Sequence, residues 1–208
     1  MNCHSSRLGG GGLLAKRTGE KYEAILDAAE QVFAEYGYHR AQVARIAREA
    51  KVADGTVYLY FENKEDVLIS LFKERMRRFS AAVAAELAGI PPGEEQLAKI
   101  VEFHFHWLGQ HRQRAVVTQI ELRQSEPAVR RGISEAMQDY FRIIENAVED
   151  GKRAGRIDPA LDTKVARKVI FGAMDEVVTS WVLSHREYPL ESLAPAVFAI
   201  LKGGIYRG

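Results

Sequence analysis

Val43-Ala-Arg-Ile-Ala-Arg-Glu-Ala-Lys-Val-Ala-Asp-Gly-Thr-Val-Tyr-Leu-Tyr-Phe-Glu-Asn-Lys64 reads as a helix, a tight turn and a short helix that carries aromatic residues. In the first helix Val43, Ile46, Ala47 and Ala50 recur at the spacing that gathers apolar side chains on one face, leaving Gln42, Arg45 and Arg48 outward. Val52 packs the turn. Asp54 is placed to cap the second helix by accepting from the amides of Thr56 or Val57, and Gly55 leaves the first turn bare enough for a nucleic-acid backbone to come close. Val57 and Phe61, four apart, face the core, so Tyr58, Leu59 and Tyr60 remain around the outside of a helix too short to serve packing alone. Thr56, Lys64 and the two tyrosine hydroxyls are all able to donate to phosphate oxygens. Most helix pairs with a short turn are only structural, so the pattern by itself leaves DNA reading and plain packing both open.

Net charge is +1 over 208 residues, which gives nucleic-acid binding no support from composition. Local charge does. Between Tyr38 and Lys51 the basic residues Arg40, Arg45, Arg48 and Lys51 face Glu49 alone, whereas Glu20, Glu23, Asp27, Glu30 and Glu35 crowd the segment before them.

Several motifs in this region occur in a fixed order: Gly37-Tyr38, Gln42-Val43, Ile46-Ala47, Ala53-Asp-Gly-Thr-Val-Tyr-Leu-Tyr-Phe61 and Asn63-Lys-Glu-Asp-Val-Leu68. Together they resemble the N-terminal domain of the TetR family of one-component transcriptional regulators, across nearly all of residues 18 to 70. The resemblance implies a three-helix DNA-binding unit followed by a helical ligand-binding and dimerisation domain. It also implies that Tyr60 and Lys64 meet phosphates. Base reading is expected of Gln42, Arg45, Asp54, Gly55, Tyr58 and Leu59, the outward positions on the two helices.

A chain that is 47% hydrophobic buries a good core, and no stretch approaches the 18 apolar residues of a membrane helix. The N-terminus lacks a signal peptide's apolar centre, so a soluble, cytoplasmic protein is expected. Cys3, the single cysteine, excludes an intrachain disulfide and sits in a glycine-rich arm, residues 1 to 15, expected to be disordered.

Proline and glycine divide the remainder into helices, with no strand alternation, so the fold class is all-α with about nine helices. Thr18 or Gly19 opens the first helix, Ile25, Ala28, Ala29, Val32 and Phe33 form its buried stripe, and Gly37 stops it. Asn63 caps a fourth helix whose apolar pattern runs through Leu68, Leu71, Phe72, Met76 and Phe79 to about Leu87. Further helices are predicted near 94–109, 112–124, 127–153, 162–185 and 191–204, the last with Ser192 as N-cap and Pro195 in its first turn. The domains are then 16–64 for DNA binding and 65–208 for ligand binding and dimerisation, with the junction inside the fourth helix.

Two faces of 162–185 are apolar, one from Val169, Ile170, Ala173, Val177 and Trp181, the other from Phe171, Val178 and Val182. One is surplus to a monomer's core, and Ala196, Val197, Ala199, Ile200 and Leu201 add to it, so a homodimer built on a four-helix interface is expected. A helix buried on all sides within a monomer is the alternative.

Enzyme chemistry is poorly served. His104 and His106 diverge on a helix and cannot share a metal, and Glu102 with His106 supplies only two ligands. Ser70-Leu-Phe-Lys73 matches a nucleophile motif by chance, without its partner motifs, and Gly9 to Gly12 lack the strand and lysine of a phosphate loop. No catalytic residue, metal or cofactor is predicted.

Val117-Thr-Gln-Ile-Glu-Leu-Arg-Gln-Ser125, Ile170-Phe-Gly-Ala-Met-Asp-Glu176 and Thr179-Ser-Trp-Val182 resemble a narrower group within the family, the fatty-acid degradation regulators of Bacillus and Thermus type. That resemblance implies repression of β-oxidation genes and release from the DNA operator by the small-molecule effector long-chain acyl-CoA. The residues are compatible with it. Phe103, Trp107, Leu108, Ile120, Phe141, Ile144, Phe171 and Met174 are candidates to line an apolar tunnel, and Arg112, Arg114, Arg123, Arg130 and Arg131 to meet phosphates. Core packing and solvated surface are the plain uses of the same residues. If Glu121, Asp175 or Glu176 faces the pocket, a multidrug-efflux repressor sensing cations becomes the alternative; an acyl-CoA-binding protein or enzyme that never touches DNA is the alternative of another class.

Overall fold

A computed structural model describes residues 18–121 and 127–205, so the N-terminal arm lies outside the described residues. Those described form nine α-helices: α1 (Glu20–Tyr36), α2 (Val43–Glu49), α3 (Asp54–Tyr60), α4 (Lys64–Glu86), α5 (Glu94–Gly109), α6 (Arg112–Val116), α7 (Pro127–Arg153), α8 (Thr163–Leu183) and α9 (Ala194–Ile205). Two compact units divide inside α4 between Leu71 and Phe72, rather than at residues 64 and 65.

In the first unit α1 buries Ile25, Leu26, Ala29 and Phe33 completely, with Val32 almost so. Gly19 precedes it at φ 100°, and Gly37 ends it at φ 74° with its amide donating to Phe33 O. Both positions need the positive φ that glycine adopts without a Cβ clash. Tyr22 stacks on Phe61 at 5.4 Å between ring centroids, tying α1 to the end of α3.

The turn between α2 and α3 closes as a Schellman motif: Val52 N–H donates to Ala47 O and Lys51 N–H to Arg48 O. Lys51 occupies the left-handed position at φ 56°, where glycine or asparagine is usual. Asp54 does not cap α3. Ala53 holds the N-cap position in extended conformation with no side-chain cap bond, and Asp54 is the first helical residue, exposed beside the positive helix end. Asn63, by contrast, accepts from Asp66 N–H at 2.8 Å, while Asp66 accepts from Glu62 N–H at 3.0 Å, a reciprocal cap that starts α4. At about 1.5 Å per residue α4 is on the order of 35 Å long, its first turns in one unit and the rest in the other.

The second unit packs α5 against α7, α8 and α9, and α7 against α8. Ile100, Val101 and Phe105 of α5, Tyr140, Ile144 and Val148 of α7, and Ile170, Met174 and Val178 of α8 are all but fully buried. Burying each such side chain stabilises the fold by about 1.5–3 kcal/mol.

Three local expectations change. The segment 112–124 is a short α-helix that widens into a π turn over Val117–Glu121, and residues 122–126 lie outside the description. Ser192 caps nothing, because its hydroxyl donates back to Pro189 O within a 3-10 turn, Leu190–Leu193; Pro195 does fall in the first turn of α9. On α8 the core takes Ile170, Val178, Trp181 and Val182 from both expected faces, and the outward apolar residues are Val165 and Val169, with Leu183 at the end.

Candidate nucleic-acid interface and ligand cavity

On the first unit, Tyr58 and Leu59 are each 57% exposed, and Gln42, Arg48, Asp54 and Gly55 are also open to solvent. Two large side chains, one apolar, thus stand out from a seven-residue helix. Gly55 explains little of the free protein, since a Cβ built there meets nothing within 4 Å. Arg45 is half-buried, its guanidinium 3.9 Å from the Tyr36 ring centroid, which orients the fork while leaving its donors available. Thr56 and Tyr60 are half-buried, and Tyr60 leans on Tyr22 at 6.1 Å.

Lys64, expected to meet a phosphate, is held by the protein itself in the free chain. Its ammonium donates to Tyr38 O at 2.8 Å, Ala41 O at 3.1 Å and His39 O at 3.3 Å, and lies 4.5 Å from the Tyr38 ring centroid. An ammonium has three donors, and here each has a carbonyl. Partial burial lowers the Lys64 pKa, with Glu65 opposing the shift. Lys64 therefore ties the start of α4 to the link between α1 and α2.

The second unit holds a cavity of about 260 Å³ between α4, α5, α7 and α8. Phe72, Met76 and Phe79 enter it from α4, His104, Trp107 and Leu108 from α5, Ile133, Met137, Tyr140 and Phe141 from α7, and Phe171 and Asp175 from α8. Phe79 is the hub of its aromatic wall, 4.8 Å from Tyr140 and 5.7 Å from Trp107. Two buried polar groups face each other within this wall: His104 Nδ1 lies 3.0 Å from the Tyr140 hydroxyl. Burial alone holds the imidazole down to about 4, so it is neutral at pH 7, and pushes the phenol pKa up. Gln119, buried in the π turn, accepts from the Thr179 hydroxyl at 3.0 Å.

Beside this cavity runs a polar groove of about 350 Å³ lined by Arg75, Arg78, His106, Trp107, Gln110, His111 and Arg114. Arg75, Trp107 and Arg114 line both. Arg114 lies 5.3 Å from the Trp107 ring centroid, at the boundary of apolar and cationic surface.

Of the residues expected to hold a ligand, Trp107, Leu108, Phe141 and Phe171 line the cavity and Arg114 lines both spaces. Phe103 packs behind Phe79 and Trp107, and Ile144 and Met174 are core. Arg112 caps the end of α8, donating to Val182 O at 2.8 Å and Ser184 O at 3.2 Å over the Trp181 ring. Arg130 and Arg131 are exposed on α7 and line neither space. Arg123 and the side chains of Ile120 and Glu121 lie outside the description. Asp175 does line the cavity, while Glu176 is exposed and accepts from Ser180. The cations missed by sequence reasoning are Arg75 and Arg78; their i, i+3 spacing on the α4 face that continues from Phe72 was the available signal.

Comparison with known proteins joins the two halves. Residues 25–71 match the family described as bacterial regulatory proteins, tetR family, and residues 72–204 match YsiA-like protein, C-terminal region, whose model belongs to the same TetR series. The chain belongs to the TetR family. Among TetR relatives, the fatty acid metabolism regulator protein of Bacillus subtilis (strain 168) is 44% identical over 92% of this chain and 99% of its own. The structure of the fatty acid degradation regulator FadR from Bacillus halodurans superposes with a TM-score of 0.85 at 46% identity, covering 88% of this chain and 98% of that one. FadR from Bacillus subtilis, solved in complex with stearoyl-CoA, gives the same TM-score at 44% identity over 88% of this chain and 99% of its own. No helix of the described residues is long and apolar enough to cross a membrane.

Proposed function

We propose that this TetR-family chain is a cytoplasmic transcriptional repressor of fatty-acid degradation genes that binds a pseudo-palindromic DNA operator as a homodimer and leaves it on binding long-chain acyl-CoA. The observation that carries the ligand is the junction of an aromatic, apolar cavity with a groove bearing three arginines, through the shared residues Arg75, Trp107 and Arg114. An amphiphilic anion with a long apolar tail matches that junction, and acyl-CoA is such a molecule. The relative that is 44% identical carries stearoyl-CoA. No catalytic step is assigned; binding is the event.

Gln42, Arg45, Asp54, Gly55, Tyr58 and Leu59 are assigned to base reading, with Arg45 on guanine, and Thr56 and Tyr60 to phosphates. Lys64 acts by holding the turn that presents α2. Val165, Val169 and Leu183 of α8 and Ile200 of α9, exposed by 55%, 54%, 62% and 77%, are assigned to the isologous dimer face.

Release follows from size. The cavity, at about 260 Å³, falls below the roughly 300–1,000 Å³ common for sites of drug-sized ligands, so a long acyl chain has to widen it. Phe72, Met76 and Phe79 form its α4 wall, and α4 is one uninterrupted helix back to Lys64. Displacing that wall alters the spacing of two recognition helices that must meet major grooves roughly 34–36 Å apart.

Asp175 in the cavity supports a second reading, a sensor of cationic hydrophobic compounds. Native mass spectrometry of protein purified from cells separates them: a dimer carrying masses of acyl-CoA supports the first, and a dimer that takes up only cationic compounds supports the second.

A further inference from the structure

Arg45 differs from its basic neighbours around the α1–α2 link in what holds it. Arg40 Nε donates to Tyr36 O at 3.0 Å, and the Lys64 ammonium is shared by three carbonyls, so both are committed to the backbone. The Arg45 guanidinium makes no hydrogen bond or ion pair among the described residues and lies over the Tyr36 ring, 3.9 Å from its centroid. At that separation the flat group fits across the ring face, whereas a nitrogen turned toward the ring would be driven inside van der Waals contact. A guanidinium donates in its own plane, so a ring against one face leaves every donor uncovered. The two N–H groups that meet guanine O6 and N7 lie on that open edge.

The ring is itself fixed. Tyr36 is the last residue of α1, Gly37 follows at φ 74° with its amide on Phe33 O, and Arg40 closes on the Tyr36 carbonyl. Lys64 holds the carbonyls of Tyr38, His39 and Ala41 just beyond. On the other side of the contact, α2 packs against α1 and buries Ile46 and Ala47 completely, so it cannot turn about its axis and carry Arg45 off the ring. We infer that Tyr36 is a positioning residue for sequence recognition: it holds the Arg45 guanidinium in the plane in which it pairs with guanine, and so sets how strongly one G·C pair of each half-site is preferred. The inference rests on the assignment of Arg45 to guanine and adds a residue of α1, a helix that supplies none of the assigned base contacts. Its physical basis is order. An arginine side chain loses rotamer freedom when it docks on a base edge, and a stack already made in the free protein has taken that loss beforehand. A phosphate, open to donors from many directions, gains less from a fixed plane, so the effect falls on specificity.

The test selects binding sites for the full chain from a random duplex library, and takes as the Arg45 position the one at which Arg45→Ala loses its preference. Fluorescence anisotropy then compares the selected site with the same site carrying adenine for guanine there. Wild-type protein is expected to prefer guanine by about tenfold. Tyr36→Leu should reduce that to about threefold, the share that an exposed cation–π contact supplies, and Tyr36→Phe, which keeps the ring, should retain the wild-type preference. Tyr36→Leu added to Arg45→Ala should change nothing further at this position, because the ring acts through the arginine. A full guanine preference in Tyr36→Leu, or an equal loss of affinity for both sites, overturns the role of Tyr36 and leaves Arg45 on guanine. Uniform weakening by Arg45→Ala removes the reading on which it rests. Should Tyr36→Leu not fold, side-chain nitrogen relaxation in free wild-type protein decides: Arg45 Nε should be more rigid than Nε of the exposed Arg48, and equal mobility overturns the inference.

Discussion

The Lys64 ammonium lies 2.8 Å from the Tyr38 carbonyl oxygen and 3.1 Å from that of Ala41, joining the first residue of α4 to a turn more than twenty residues earlier in the chain. Hydrogen bonds to a charged donor contribute about 1.5–3 kcal/mol each when well formed, less where solvent reaches them. Lys64→Met should therefore destabilise the protein by about 2 kcal/mol in urea unfolding. The slope of log affinity for operator against log salt should stay unchanged, because no phosphate contact is removed; a fall of about 0.9 in its magnitude would assign the lysine to the DNA.

Gly55 yields an effect of opposite sign on stability and on binding. Its backbone is helical and a Cβ there meets open space, so Gly55→Ala should raise stability by about 0.5–1 kcal/mol. Operator affinity should fall at least tenfold, roughly, if the bare turn admits the nucleic acid. Thermal unfolding and fluorescence anisotropy on the same preparation check both; a stabilised variant with unimpaired binding removes Gly55 from the interface.

His104 makes stability depend on pH. Its folded pKa is held by burial at about 4, below the ordinary 6.5, so the unfolded chain binds the proton first as pH falls. The stabilisation is complete above about pH 6.5 and is lost between there and pH 4, with about 2 kcal/mol gone by pH 5. Urea unfolding at pH 7.5 and pH 5 should show the loss in wild-type protein and a smaller one in His104→Leu.

Outward valines and isoleucine on α8 and α9 carry the dimer assignment. Val169→Glu and Ile200→Glu, at positions already exposed in the single chain, should leave each chain folded, because neither side chain is in its core. Both variants should elute as monomers and lose at least about tenfold in operator affinity, since one recognition helix then binds without its partner. A dimeric elution profile for both variants moves the interface elsewhere.

Much of the fold was legible because it rests on local chemistry. Glycines 19 and 37 bound α1 by positive φ, Asn63 starts α4 through its cap, and the α1 stripe is the 3.6-residue period made visible. The recognition segment was legible for the same reason. What failed was tertiary. Asp54 has the composition of a cap but stands one residue late, and Ser192 found a nearer carbonyl in Pro189. Lys64 looked like a surface cation because no local pattern reveals that carbonyls from residues 38, 39 and 41 fold over it. In the cavity, period alone cannot say which buried aromatic faces a void and which faces another ring: Phe103 and Met174 pack away, while Phe79 and Tyr140, on helices far apart in sequence, meet at 4.8 Å. Arginines were harder still, since Arg112 caps a helix and Arg75 lines the cavity although both are basic residues on amphipathic helices.

Release by ligand is the centre of the account, and one titration addresses it most directly. Operator-bound protein is titrated in fluorescence anisotropy with palmitoyl-CoA, palmitate, CoA and ethidium in turn, with a control for dye intercalation. A coupling of about 3 kcal/mol, near the upper end of the usual range, predicts that palmitoyl-CoA weakens operator binding on the order of 100-fold while the other three leave it unchanged. Release by the cationic dye with no response to palmitoyl-CoA would contradict the acyl-CoA account and give the cavity, through Asp175, to the cation-sensing alternative.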